Sequence, residues 1–258
     1  MTRAFRSEWF KIRRPGVLLG GLGAMVAFSI LAVVLTMARA DSGPRDAAVS
    51  IARLSQPDGF ASILQRGSDF LGVFALGVLA VATAQEYSNG TLRSLLVREP
   101  RRIRLLAGKT VANLLYVCAS VLVASLVALL LALVLAPGKG ITTSEWLGSG
   151  LGDTASTIGN LVVAAFGFGM FGTLLALVVR APAPAVIGGV LWILPVENLL
   201  TRAWPNVGHW LPGQQLAAVV ARGNDISSYG WALGLGMSLV AFAAITGSAL
   251  FRWRDVSV

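Results

Sequence analysis

AQEYSNGTLRSLLVREPRRIRLLAGK, residues 84–109, separates two long apolar runs yet carries six Lys or Arg residues and an Asn89-Gly90 turn. Its surroundings are too apolar for a soluble domain. Of 258 residues, 55% are hydrophobic and 13% charged, where soluble domains carry about 25% charged residues. The mean hydropathy is +0.74. Working outward from the basic stretch, six runs approach the ~20 residues that a helix needs to cross a bilayer: 17–38, 67–85, 109–136, 158–179, 183–201 and 229–251. The pattern predicts an all-α polytopic membrane protein with six transmembrane helices, built as a single domain over residues 1–258 without internal repeats.

The placement of charge orients that layout. The N-terminus, the 86–109 connection, Arg180 and the C-terminus hold 14 basic residues against 4 acids, whereas the other connections hold 7 basic and 8 acidic. The positive-inside rule therefore puts both termini and the quoted stretch in the cytoplasm. Because the net charge of +9 is concentrated on one side of the spans, it argues against a nucleic-acid partner. Cys118, the single cysteine, lies inside the third span and reads as a small packing residue.

Residues 1–15 read as an interfacial helix. Phe5, Trp9 and Ile12 recur at helical spacing, Arg3, Arg6, Lys11 and Arg13 stay polar, and Pro15 ends or bends the helix. The apolar run after it ends in Ala38-Arg39-Ala40, a cleavage-like pattern. At about 21 residues it exceeds the 7–15 of a signal-peptide core and is expected to be the first span. The 39–66 connection, with turn signals at Gly43-Pro44 and Pro57-Asp58-Gly59, reads as an external loop. In the 137–157 loop, Asp153, Thr154, Ser156 and Thr157 are placed to cap the fourth span. Gly16/Gly20 and Gly230/Gly234 have the spacing of close helix packing, a weak signal among 29 glycines. Pro182, Pro184, Pro195, Pro205 and Pro212 predict a kinked or broken fifth span followed by short external helices.

Motifs for chemistry are scarce. Gly108-Lys109-Thr110 resembles the end of a phosphate-binding loop, but Ile103 stands where that loop needs glycine. His209, the only histidine, has no cysteines or clustered carboxylates around it in sequence to make a metal site. Glu197 is the one ionisable residue inside an expected span, where a carboxylate lines a polar cavity, makes structural hydrogen bonds or sits solvated at the external interface. With Asn198 and Asn160 it is the candidate translocation path or gate. An intramembrane enzyme would need clustered His, Glu, Asp or Ser within the spans, and no such cluster is evident in the sequence.

Within the opening stretch, Thr91 is placed to cap a short helix with Leu92, Leu95 and Leu96 on its apolar face and Arg93 and Arg98 off it. Glu99-Pro100 stops that helix. Such a helix either hugs anionic lipid or fits a groove on a cytoplasmic partner and passes that partner's motion to the spans on both sides.

EYSNGTLRSLLVREPRRIRLLAGK, together with SEWFKIRR near the N-terminus and the six-span layout, resembles the permease subunits of type-2 ABC transporters over essentially the whole chain. The most specific part is Glu86-Tyr87, Gly90-Thr91-Leu92-Arg93, then Arg101, Arg102 and Lys109; LPGQQL after the fifth span is a weaker match. The resemblance implies a multi-pass protein of the cell's inner (plasma) membrane and a cytoplasmic coupling helix within 86–109. It also implies external re-entrant helices before the sixth span, and pairing with a second, identical or related, permease subunit. Separate ABC-type ATPase subunits would hold ATP and Mg, no cofactor being expected on this chain. Glu86, Tyr87, Gly90, Thr91, Leu92, Arg93, Leu95, Leu96, Arg101 and Arg102 would form the ATPase-coupling segment. The expected activity is that of an ABC exporter's permease; the alternatives are a non-transporting sensor or scaffold subunit and, further off, an intramembrane enzyme.

Overall fold

The computed structural model describes residues 2–40, 50–88 and 102–253. In chain order the helices are α1 (Thr2–Ile12), α2 (Pro15–Ala38), α3 (Ile51–Leu54), α4 (Gly59–Arg66), α5 (Ser68–Ser88) and α6 (Arg102–Leu135). They continue with α7 (Ser144–Leu147), α8 (Leu151–Val179), α9 (Pro182–Leu191), α10 (Glu197–Ala203), α11 (Pro212–Val220) and α12 (Tyr229–Trp253). Among the described residues five helical segments are long and apolar enough to cross a membrane: Leu18–Ala38, Ile103–Leu135, Leu151–Val179, Pro182–Ala203 and Tyr229–Leu250. A bent pair, Gly59–Arg66 with Phe70–Gln85 at 47°, brings the number to six where the two helices count as one span. The all-α, polytopic reading holds.

Several boundaries differ from expectation. Pro15 starts α2 rather than merely ending α1, because a proline suits the first helical position, where its missing N–H has no partner to lose. The 39–66 connection holds two helices, and α4 buries Phe60, Ile63 and Leu64 in the core. Asp153, Thr154, Ser156 and Thr157 do not cap the fourth span. α8 begins at Leu151 after Gly150, so all four lie inside it, and the Ser156 hydroxyl turns back onto the Gly152 carbonyl at 2.8 Å. α6 starts before Lys109. Its 34 residues reach about 51 Å at 1.5 Å each, more than the ~30 Å of hydrocarbon.

The fifth span is not broken at Pro195. The helix widens to one π turn over Trp192–Val196, and the Glu197 N–H bonds the Trp192 carbonyl five residues back. A proline without an N–H is absorbed where the hydrogen-bond ladder already changes register. The short helices expected after it are present as α11 and a 3₁₀ turn over Pro205–Trp210.

The core runs along α5, α6 and α8, with Leu76, Leu79, Val117, Val121, Leu161 and Phe168 buried. α5 and α8 make the most extensive helix pair. Their approach depends on Gly172, where an added methyl would sit 2.3 Å from the Leu76 carbonyl, and on Gly72, where it would sit 2.6 Å from the Phe168 ring. The glycines singled out by spacing do not serve this purpose: a methyl at Gly16, Gly20, Gly230 or Gly234 meets nothing within 4 Å.

Candidate functional site

The chain alternates direction through the bundle, so α1, the end of α5, the start of α6 and the α8–α9 junction share one end, the basic end. α3, α4, α7, α10 and α11 gather at the other.

At the basic end, α1 does not present its apolar face outward. Phe5 and Trp9, stacked at 5.9 Å, pack with Ile12 onto Ala112 and Tyr116 of α6. The Tyr116 hydroxyl donates to the Leu18 carbonyl of α2 at 3.2 Å. Within this apolar contact sits Glu8, only 4% exposed. One carboxylate oxygen, Oε2, lies 3.1 Å from Lys11 Nζ and 3.5 Å from Lys109 Nζ. Lys109, expected as a basic residue of the coupling segment, is instead a buried anchor of α6 to α1. Sequence reasoning passed over Glu8, yet a signal existed. Positions 5, 8 and 12 share a helical face, so Glu8 interrupts an apolar stripe.

Of the expected coupling residues, Gly90, Thr91, Leu92, Arg93, Leu95, Leu96 and Arg101 lie outside the described residues. Glu86 falls in the last turn of α5 and Arg102 in the first of α6. Tyr87 is braced: the Arg180 guanidinium lies 5.7 Å from its ring centroid. Arg180 ends α8 in the left-handed region, φ 62°, which re-aims the chain into Ala181-Pro182.

At the opposite end, Glu197 is fully buried. Its two oxygens accept the N–H groups of Gly213 and Gln214 at 3.1 and 3.0 Å, capping the N-terminus of α11, where carboxylates are favoured. A methyl at Gly213 would sit 2.6 Å from Glu197 Oε2, so glycine is what admits the carboxylate. Gln214 Nε2 donates to Asn198 Oδ1 at 3.2 Å, and Gln215 Nε2 donates to the Gly208 carbonyl and to Ser227 Oγ, both at 2.9 Å. Most of LPGQQL is thereby explained: Pro212 starts the helix, Gly213 makes room, and the two glutamines tie it down. His209 Nδ1 lies 3.2 Å from Ser227 Oγ, which places the lone histidine in the same network. The structure brings Glu197 and Asn198 together but not Asn160, whose Oδ1 accepts from the Tyr229 hydroxyl at 2.9 Å in a separate α8–α12 contact.

This arrangement has two buried carboxylates that hold helices, and among the described residues no group of three or more His, Cys, Asp or Glu could hold a metal. Residues 4–187 match a family model described as ABC-2 family transporter protein. The chain belongs to the ABC-2 transporter family. It is a membrane permease of an ABC transporter, and the family implies an ABC ATPase partner. None of the curated proteins matches it. The match includes the permease's basic end and stops before Glu197.

Proposed function

We propose that this permease forms the translocation pathway of an ABC exporter, as a dimer with an identical or related permease. Separate cytoplasmic ATPase subunits, holding ATP and Mg, drive it through residues 86–109. Both termini and that segment face the cytoplasm of a cell's inner membrane. One observation carries the reading: both flanks of the basic segment are tied to other helices. Tyr87 is held by Arg180 of α8 and Lys109 by Glu8 of α1. Movement of the segment therefore reaches α1, α5, α6 and α8 together. At the other end, the Glu197–Asn198–Gln214 contacts fix α11 on the fifth span and serve as the gate's hinge, while Asn160 holds α8 to α12 in a separate contact.

Co-reconstitution with the ATPase tests this. Gly90→Val and Glu86→Ala should leave insertion and pairing intact while transport and stimulated hydrolysis fall together. A segment that only anchors to lipid would tolerate Glu86→Ala and lose membrane abundance when Arg101 and Arg102 are neutralised. A sensor subunit would stimulate hydrolysis without moving substrate. In a Cys118→Ala background, an impermeant thiol reagent applied to intact cells should label Asp46→Cys and not Arg101→Cys.

A further inference from the structure

At the end opposite the basic segment, a cleft of about 360 Å³ opens between the α3–α4 turn, the first turns of α8 and the end of α11. Two ion pairs face it: Arg53 with Asp58 at 2.5 Å, and Arg222 with Asp153 at 2.7 Å. Gln65 and Thr157 complete the polar lining. These four charges sum to zero.

Thr157 is the informative residue. It is 1% exposed, and its hydroxyl has no hydrogen-bond partner among the described residues. Three other buried helical hydroxyls return to the carbonyl four residues back, Thr36 to Ala32, Ser120 to Tyr116 and Thr173 to Gly169; Thr154, one turn before Thr157, shares its lack of a partner, but only Thr157 lines the cleft. A buried hydroxyl that forgoes this bond is costly unless something else receives it. Here it lines a cleft that also holds two guanidinium groups, each with five N–H donors.

One turn deeper on the same face of α8, Leu161 lines a second, apolar groove with Met25, Phe28, Ile63, Leu64 and Val121. α4 stands between the two, giving Gln65 to the cleft and Ile63 and Leu64 to the groove. At the groove's mouth Phe28 is 39% exposed and stacks on Phe70 at 5.2 Å. A polar, charge-balanced pocket thus stands at a membrane-span terminus, and a small apolar groove lies one helical turn below it on α8, on the other side of α4.

We infer that the cleft and groove together bind one zwitterionic amphiphile, a phospholipid with an ethanolamine headgroup. Its phosphate meets Arg53, Arg222 and the Thr157 hydroxyl, its ammonium meets Asp58 and Asp153, and an acyl chain lies in the groove. A purely anionic headgroup would leave both aspartates facing like charge. This site does not depend on the direction of transport or on the ATPase.

The test uses the full chain purified in detergent with equal amounts of phosphatidylethanolamine and phosphatidylglycerol of identical chains, bound lipid being read by native mass spectrometry. The ethanolamine lipid should be preferentially retained, and Thr157→Val should lower its retention about fivefold, the worth of one hydrogen bond, with thermal stability unchanged or raised. Ala32→Phe, which fills the groove, should lower retention of the lipid. Equal retention of both lipids means ordinary boundary lipid and overturns the proposal. So does unchanged ethanolamine-lipid retention in Thr157→Val. Displacement by an equal concentration of free phosphoethanolamine would mean that the chain contributes nothing, and would overturn the amphiphile in favour of a soluble zwitterion.

Discussion

Glu8 and Glu197 are both buried carboxylates, 4% and 0% exposed, at opposite ends of the same bundle, and they are held by different physics. Glu8 is met by two lysine ammonium groups at 3.1 and 3.5 Å, each on a flexible four-carbon stem. Glu197 is met by two adjacent backbone N–H groups of one helical turn. A lysine can follow a carboxylate through a small slide of α1 over α6. Backbone donors cannot, so any displacement of α11 breaks both bonds together. The contact at the basic end tolerates a small displacement of its helices, and the contact at the opposite end does not.

The largest effect is expected at the rigid end. Glu197→Ala removes two charge-assisted hydrogen bonds and leaves the N-terminus of α11 uncapped, at a cost of about 3 kcal/mol in equilibrium unfolding in mixed micelles. Glu197→Gln keeps one acceptor but turns an amide donor toward the other N–H, and should fall between the two. A loss in Glu197→Ala no greater than that of a surface substitution would mean the cap does not hold α11. Gly213→Ala approaches the same contact from the other side. Its methyl must displace Glu197 Oε2 from 2.6 Å, and overpacking of this kind costs about 1–3 kcal/mol.

At the compliant end the measurement is a double-mutant cycle of Glu8→Gln and Lys109→Met. The side chains are 6% and 10% exposed, so the pair is screened less than a surface ion pair. Lys11 remains to compensate Glu8 when Lys109 is replaced. A coupling energy on the order of 1 kcal/mol is expected. Strictly additive effects would show that Lys109 does not sense Glu8 and would remove the contrast between the two ends.

What could be read from the sequence followed the range of the forces involved. The apolar runs, the proline positions and the single-sided basic charge are local or summed properties, and they gave the helical, membrane-spanning architecture with most spans in place. Glu197 stood out because a lone carboxylate in an apolar run is unusual in itself. Its role did not, because its partners are Gly213 and Gln214, beyond a helix and a 3₁₀ turn. Glu8 and Lys109 are a hundred residues apart, and the basic residues around both hide them by composition. Composition also made residues 50–66 and 151–157 look like loops. Burial of Phe60 against Trp146, with ring centroids 5.9 Å apart, decided otherwise for the first, and direct continuation of the fourth span did so for the second.

The smallest expected effect on stability tests the link between the two ends most sharply. A partly exposed cation–π contact such as Arg180 over Tyr87 is worth about 0.5–1 kcal/mol. Arg180 also holds φ 62°, where a side chain costs about 1 kcal/mol relative to glycine. Arg180→Gly therefore loses the ring contact and relieves the backbone, and its net stability should stay near that of the parent. Tyr87→Leu should lose about 0.5–1 kcal/mol alone and nothing further in the Arg180→Gly background. If the contact only stabilises the fold, Arg180→Gly is silent in every assay. If it carries motion from the basic segment into α8, Arg180→Gly and Tyr87→Leu both lower ATPase-coupled transport by a similar factor. That loss would come from a protein as stable as the parent, which stability alone does not explain. Full coupled activity in both variants would mean that the Arg180–Tyr87 contact carries no motion into α8, and would shift the proposed transmission toward Glu8–Lys109 and the α1–α6 contact.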